Sequence, residues 1–302
     1  MVLHIVTDST ADLPLTLDPS LPISVVPLSV EWGGAVQDDD DRMDRGAFYA
    51  QLVQSDIMPR TSQPSPQRFQ DVYRRVIEQG ATQILSLHLS SSMSGTYRAA
   101  HIARESIQRE YSEAVIEIVD SRVLTYSLGL GVLLAAQAAQ SGHSLSLCRS
   151  LAQRAFSTAS LLFTVDDFSY LQRGGRIGKA SSMLGSLLRI SPILSVVDGQ
   201  VVGLERVRGR THLVERMLHH FETAIPRNTE VAGVLLSGGN PAPEALSFFE
   251  AIRSRYDLGK VEPILVTPCV VAHVGPSSWG AVLMPTKWIH EERVYSQVPY
   301  RL

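Results

Sequence analysis

Three hydroxyl- and histidine-bearing stretches carry the side chains best suited to hold an anion. The first begins with Leu85, Leu87 and Leu89 alternating along a short apolar run. It continues through Ser90-Ser91-Ser92-Met93-Ser94-Gly95-Thr96-Tyr97 into an Ala-rich segment with helical spacing. That order predicts a strand, a loop and a helix start. Hydroxyls and free backbone N–H groups then converge at the positive end of a helix dipole, where a carboxylate or phosphate is favoured. Ordinary helix capping accounts for the same residues. The second stretch is Pro59-Arg60-Thr61-Ser62-Gln63-Pro64-Ser65-Pro66. Its prolines predict a stiff loop, with Ser65 capping and Pro66 opening a helix that buries Phe69, Val72, Tyr73 and Val76. Thr61 and Ser62 are left to face a ligand. The third is His273-Val274-Gly275-Pro276, read as a turn after the apolar run Val270-Val271-Ala272.

Ser94 with His273, and Asp8 as a third member, would make a serine-dependent acyl hydrolase. Ser94 does not stand in a G-x-S-x-G elbow, which weighs against that chemistry. Arg173-Gly174-Gly175-Arg176-Ile177-Gly178-Lys179 has the glycines and cations of a phosphate cradle. It matches neither the P-loop nor the dinucleotide fingerprint, so a nucleotide-binding enzyme is a third, weaker class. Arg206, Arg208 and Arg210 alternate and would project to one side of an extended chain. Asp38-Asp39-Asp40-Asp41 lacks the spacing of a calcium loop and reads as a solvated, self-repelling turn.

The elements that must position these groups follow an α/β order. Strand-like runs at Val2–Val6, Ile23–Trp32, Leu85–Leu89 and Val115–Val119 alternate with helical patterns at Asp44–Val53, Pro66–Val76 and Leu124–Gln140. This predicts a first domain over residues 1–156 with a mostly parallel sheet. Over residues 157–302 the texture changes. Asp198-Gly199 between two apolar runs signals a hairpin, so the second α/β domain has a mixed or antiparallel sheet. An apolar helix is expected over Met183–Leu188 and a β-type segment over Val261–Pro268.

With 302 residues the chain is long enough for two ordinary domains. Apolar residues make up 44% and charged ones 19%, and the net charge of -3 supplies no basic excess for nucleic acid. The two cysteines, Cys148 and Cys269, have neither zinc nor disulfide-framework spacing. The first residues lack the basic and apolar regions of a signal peptide, and no stretch has the length of a membrane span. A cytoplasmic protein with no metal and no bound cofactor is expected.

Taken together, Thr7–Asp12, Thr61–Ser65, Leu89–Tyr97, Gly174–Arg176 and His273–Pro276 resemble, in order, the motifs of the DegV family of bacterial fatty-acid-binding proteins. The resemblance implies two α/β domains with a long-chain fatty acid in a buried apolar tunnel between them. It implies that Thr61 and Ser94 hold the carboxylate, with His273 in the same network and Ser62, Gly95 and Thr96 beside it. It places Arg176, Arg208 and Arg173 toward the exposed carboxyl end, serving a partner or a phosphoryl group. Some members carry the acyl group for a separate ATP-dependent fatty acid kinase that makes an acyl-phosphate, so the chain itself would be non-catalytic. No stable membrane insertion is implied, while transient membrane contact stays open. Met93 replaces a more usual Leu, a volume-conserving change. Ser277-Ser278-Trp279 departs from the smaller residues expected after His273-Val274-Gly275-Pro276, which bears on loop shape and ligand length.

Overall fold

The computed structural model describes residues 2–14, 17–166, 168–184, 190–258 and 263–291. In the first half the strands are β1 (Leu3–Asp8), β2 (Ile23–Val26), β3 (Ser29–Trp32), β4 (Ala35–Asp38), β5 (Arg60–Ser62), β6 (Gln83–His88) and β7 (Val115–Asp120). The helices are α1 (Arg45–Gln54), α2 (Pro66–Glu78), α3 (Thr96–Glu110), α4 (Tyr126–Gln140) and α5 (Leu145–Thr158). Strands β2, β1, β6 and β7 form a wholly parallel sheet in that order. Helices α2 and α3 cover one of its faces through Phe69, Val72, Tyr73, Ala99 and Ala103.

The second half contains β8 (Ser160–Thr164), α6 (Ser169–Arg173), β9 (Ile190–Val197), β10 (Gln200–Arg208), α7 (Arg210–Ala224), β11 (Val231–Ser237), α8 (Pro243–Arg255), β12 (Ile264–Leu265), α9 (Pro268–Val274), β13 (Trp279–Pro285) and α10 (Lys287–Glu291). Its six-stranded sheet runs β10-β9-β8-β13-β11-β12, antiparallel except for the last pair. The expected hairpin joins β9 to β10, and Asp198 and Gly199 both take positive φ, 51° and 78°, as a tight two-residue turn requires. Helices α7 and α8 bury Phe221, Phe248 and Phe249 on one face of this sheet.

The α4–α5 hairpin lies between the two sheets, with α4 touching β1, β6 and β11 and α5 touching β6 and β13. Every residue of α4 from Tyr126 to Ala138 is therefore buried, which explains its lack of a polar face. The proposed boundary at residue 156 falls in the last turn of α5, and one hydrophobic cluster continues across it from Leu3 to Ile289.

Four local expectations change. Ile23–Trp32 is two strands in different sheets, because Pro27 cannot donate to a ladder and the chain changes sheet there. Thr61 and Ser62 lie on a strand, since β5 pairs with β3 (Thr61 opposite Val30, Ser62 opposite Ser29) in a small sheet β4-β3-β5. Val270-Val271-Ala272 is helical, because Pro268 occupies the first turn of α9 with its ring preset for a helix. Arg210 opens α7 and pairs with Asp166 at 2.8 Å, so it does not continue the exposed row of Arg206 and Arg208 on β10. Of the helix expected over Met183–Leu188, Met183 ends a 3-10 turn, and residues 185–188 lie outside the described residues. Residues 261–262 of the expected β-type segment also lie outside them, and the strand that remains is β12.

Among the described residues no helix is long and apolar enough to cross a membrane, and no group of three or more His, Cys, Asp or Glu is arranged to hold a metal. Asp38–Asp41 is not uniformly solvated. Asp39 is buried and accepts Ser9 Oγ at 3.0 Å and Cys269 N–H at 3.4 Å, while Asp38 accepts Arg68 at 2.6 Å.

Candidate functional site

The groups that matter are assembled by α9, a short helix of the second half docked on elements of the first. Its start is fixed by four first-half side chains. Asp12 accepts Thr267 N–H at 2.7 Å, Asp39 accepts Cys269 N–H, Arg45 donates to Leu265 O at 3.0 Å, and Tyr49 donates to Val266 O. Its end is set by Gly275, whose φ of +84° turns the chain out of the helix. Between these anchors α9 lies against β3 and β5, and His273 Nε2 meets Thr61 Oγ1 at 2.7 Å.

The Gly/Arg loop makes room for that histidine. A Cβ on Gly174 would sit 2.2 Å from His273 Nδ1, so the imidazole occupies the space that a side chain there would take. Gly175, at φ +71°, reverses the chain and brings Arg176 back toward the Ser-rich loop. Arg176 donates from Nε to Met93 O at 3.0 Å and from Nη1 to Gly174 O, joining the two halves beside the ring. Burial, reinforced by the Arg176 charge, pushes the His273 imidazole down to about 4.

The sign of the resulting pH effect follows directly. An ordinary histidine titrates near 6.5, so between that value and about 4 the unfolded chain takes up a proton that folded His273 refuses. Its contribution to stability is complete above pH 6.5 and is lost as pH falls to about 4. Relative to His273→Gln, the wild type is expected to lose up to about 3 kcal/mol over that window. Chemical denaturation of both proteins at pH 7 and pH 4.5 checks this, and an unchanged difference would refute it.

Thr61, Ser62, Gln63, Met93, Ser94, Arg176 and His273 all border a single cavity of about 370 Å³. Its remaining wall is mainly apolar and comes from the six-stranded sheet, loops of the first half and α9, including Leu28, Leu89, Leu161, Phe163, Val201, Leu236 and Val270. Ser94 Oγ lies 2.8 Å from Thr96 Oγ1 and accepts Thr96 N–H at 3.3 Å, so it holds the start of α3 while facing the cavity. Two other loop serines are engaged elsewhere: Ser90 Oγ donates to Gly199 O at 2.8 Å, and Ser91 Oγ donates to Asp120.

Some sequence candidates stand back from the cavity wall. Thr96 is fully buried and anchors Ser94, and Gly95 lies against Gln63, whose Oε1 would be 1.9 Å from a Cβ placed there. Arg173 is exposed, with Nη1 3.5 Å from Met58 Sδ, and Arg208 is exposed at the end of β10. Asp8 is committed to another histidine. Its Oδ2 accepts His88 Nδ1–H and Leu89 N–H, both at 3.0 Å, and no bond joins Ser94 to His273.

The sequence did not single out Thr10, Gln63, Thr125, Cys269 or Trp279 as lining residues. Thr125 is the most informative. A β-branched residue at φ 51° and ψ -150° is a rare conformer, and its buried hydroxyl faces the cavity without a hydrogen bond of good geometry. No sequence signal marks such a position. Ser278, part of the departure from the family motif, is buried, donates to Gly275 O at 2.8 Å and lines the cavity beside Trp279.

Comparison with known proteins places this arrangement. Residues 2–286 match the family model described as "Uncharacterised protein, DegV family". A DegV domain-containing protein of Clostridium acetobutylicum is 34% identical over 285 residues, covering 93% of this chain and 96% of the relative. A solved fatty-acid-binding DegV family protein from Thermus thermophilus superposes with a TM-score of 0.85 at 30% identity, covering 94% of this chain and all of that one. A stearic-acid-binding protein from Eubacterium ventriosum shares the fold at 24% identity, with a TM-score of 0.80 over 94% of this chain and 98% of that one. The chain belongs to the DegV family.

Proposed function

We propose that this chain binds a long-chain fatty acid, with its tail in the 370 Å³ cavity and its carboxylate among Thr61, Ser94, His273 and Arg176. The observation that carries the reading is a largely apolar chamber into which these hydroxyls, an imidazole and a guanidinium converge. The fatty acid binding of the Thermus thermophilus relative supports it. Ser62 lies on the same wall, and Gly95 and Thr96 support the Ser94 hydroxyl.

Energetics divide the work. Each buried methylene contributes about 0.8 kcal/mol, so a tail of roughly fifteen supplies on the order of 12 kcal/mol before association costs. A hydrogen bond to a charged group adds about 1.5–3 kcal/mol. The tail sets affinity, and the polar cluster sets which end faces the loops. The role needs no cofactor or metal. It ends with the carboxylate presented to a separate ATP-dependent kinase, for which Arg176 on the cavity wall and the exposed Arg173 and Arg208 are the candidate cations. The bonding of Ser94 to Thr96 and of His273 to Thr61 favours carriage over ester hydrolysis, which needs a Ser94–His273 pair.

Palmitic acid titrations test the carboxylate assignment. Thr61→Val and Ser94→Ala are each expected to weaken binding roughly tenfold to a hundredfold. Unchanged affinity in the double variant would overturn the placement of the head group.

A further inference from the structure

The six-stranded sheet has a slit in it. Strands β8 and β9 are in register at one position only, Phe163 opposite Leu194. Continuing that antiparallel ladder would set Leu162 opposite Ser195, Leu161 opposite Val196 and Ser160 opposite Val197, and none of these is paired. On either side the ladders are intact: β8 pairs with β13 from Ser160 to Thr164, and β9 pairs with β10 through Val197. The gap is therefore local to these two strands.

A second cavity of about 270 Å³ occupies the opening, bordered by the same six unpaired residues. Leu161 and Val196, which face each other across the slit, line both this cavity and the main one. Two side chains thus stand where backbone hydrogen bonds would otherwise seal the wall. Beyond them the chamber is bounded by Val123, Leu204, Phe221 and Ala224, with the Ser127 hydroxyl and His220 as its polar members besides Ser160 and Ser195. Val197 and Leu204 are 47% and 41% exposed, so apolar surface continues to its outer rim.

We infer that the slit between β8 and β9 is a passage for the distal end of acyl chains longer than the main cavity holds, with Leu161 and Val196 as its gate. This rests on the proposed fatty acid binding and extends it to very-long-chain acids. A side-chain gate opens by rotamer change, whereas a sealed ladder would have to break backbone bonds. Methylenes that reach the second chamber leave water, each adding up to roughly fourfold in affinity. The Ser127 hydroxyl, buried and without a hydrogen bond, makes the chamber less favourable than pure hydrocarbon and lowers that increment.

Equilibrium binding of palmitic acid and docosanoic acid to the wild type and to Ala224→Trp tests this. Ala224 is exposed at the end of α7 and borders only the second chamber, so the indole fills that chamber and leaves the main one unaltered. The wild type is expected to bind docosanoic acid at least as tightly as palmitic acid. The variant is expected to keep its palmitic acid affinity and to lose at least tenfold for docosanoic acid. Equal docosanoic acid binding by both proteins, or its rejection by a wild type that takes palmitic acid, overturns the passage and leaves the fatty acid reading standing. Failure of the wild type to bind either acid overturns both. A docosanoic acid bearing a terminal diazirine gives a readout without mutation. Crosslinks to residues 204 and 220–224 support the passage, and crosslinks confined to the main cavity refute it.

Discussion

Replacing Val201 with Trp is expected to abolish tight fatty acid binding, lowering affinity on the order of a thousandfold. Val201 is buried on β10, and its side chain lines the main cavity. It is held in register opposite Val196, so the backbone beneath it is fixed on a paired strand. An indole at that position occupies volume the tail needs. Excluding about five methylenes at 0.8 kcal/mol each removes about 4 kcal/mol, which is the predicted loss. The added bulk enters an existing cavity, so the overpacking penalty of a filled core is largely avoided. The head-group variants should each lose far less, because one hydrogen bond to a carboxylate is worth less than the displaced tail. Displacement of a fluorescent fatty acid, measured for Val201→Trp beside Ser94→Ala, checks that ranking. A larger loss at Ser94 than at Val201 would mean that head-group contacts, and not the tail, dominate affinity.

The second large effect is on stability. Asp8 ends β1 fully buried, and its two oxygens accept four hydrogen bonds. Thr10 supplies N–H at 3.1 Å and Oγ1 at 2.6 Å, while His88 Nδ1 and Leu89 N–H are each at 3.0 Å. The far side of the His88 ring lies 2.7 Å from Ser86 Oγ, which lies 2.8 Å from Tyr73 OH, so one polar chain links β1, β6 and α2. Asp8→Ala strands several buried donors at once, each costing about 1–3 kcal/mol. A loss of about 4 kcal/mol is expected, lowering the melting temperature by roughly 10 °C in a protein of this size. Thermal unfolding measures it. A shift under about 3 °C would show that the network is dispensable.

These two positions differ in how far the sequence revealed them. Asp8 follows an apolar strand at the edge where open α/β sheets place ligands, and that placement suggested a site residue. Its partner is decided by the neighbouring strand, where His88 stands within hydrogen-bond distance, and pairing across a sheet is not written in local spacing. Val201 looked like any strand residue, because a cavity wall and a packed core use the same side chains.

The hydroxyl clusters were legible because Ser, Thr and Gly stand where strands give way to turns or helices. The Asp198-Gly199 turn was legible because few dipeptides accept two positive φ angles. Strand β5 has no signal in the sequence: three residues, Arg60-Thr61-Ser62, carry no apolar period, and only β3 beside them makes them a strand. Helix α9 was obscured by Val270-Val271-Ala272, a short apolar run that suits either state, although Pro268 marked its start. Thr125 was invisible, since its conformation is imposed by the packing of α4 between two sheets.

Native mass spectrometry of the gently purified chain, before and after incubation with palmitic acid, tests the central claim most directly. The account predicts a single adduct with the mass of one fatty acid per chain, absent from Val201→Trp. Wild-type protein that stays at its unliganded mass after incubation would contradict it.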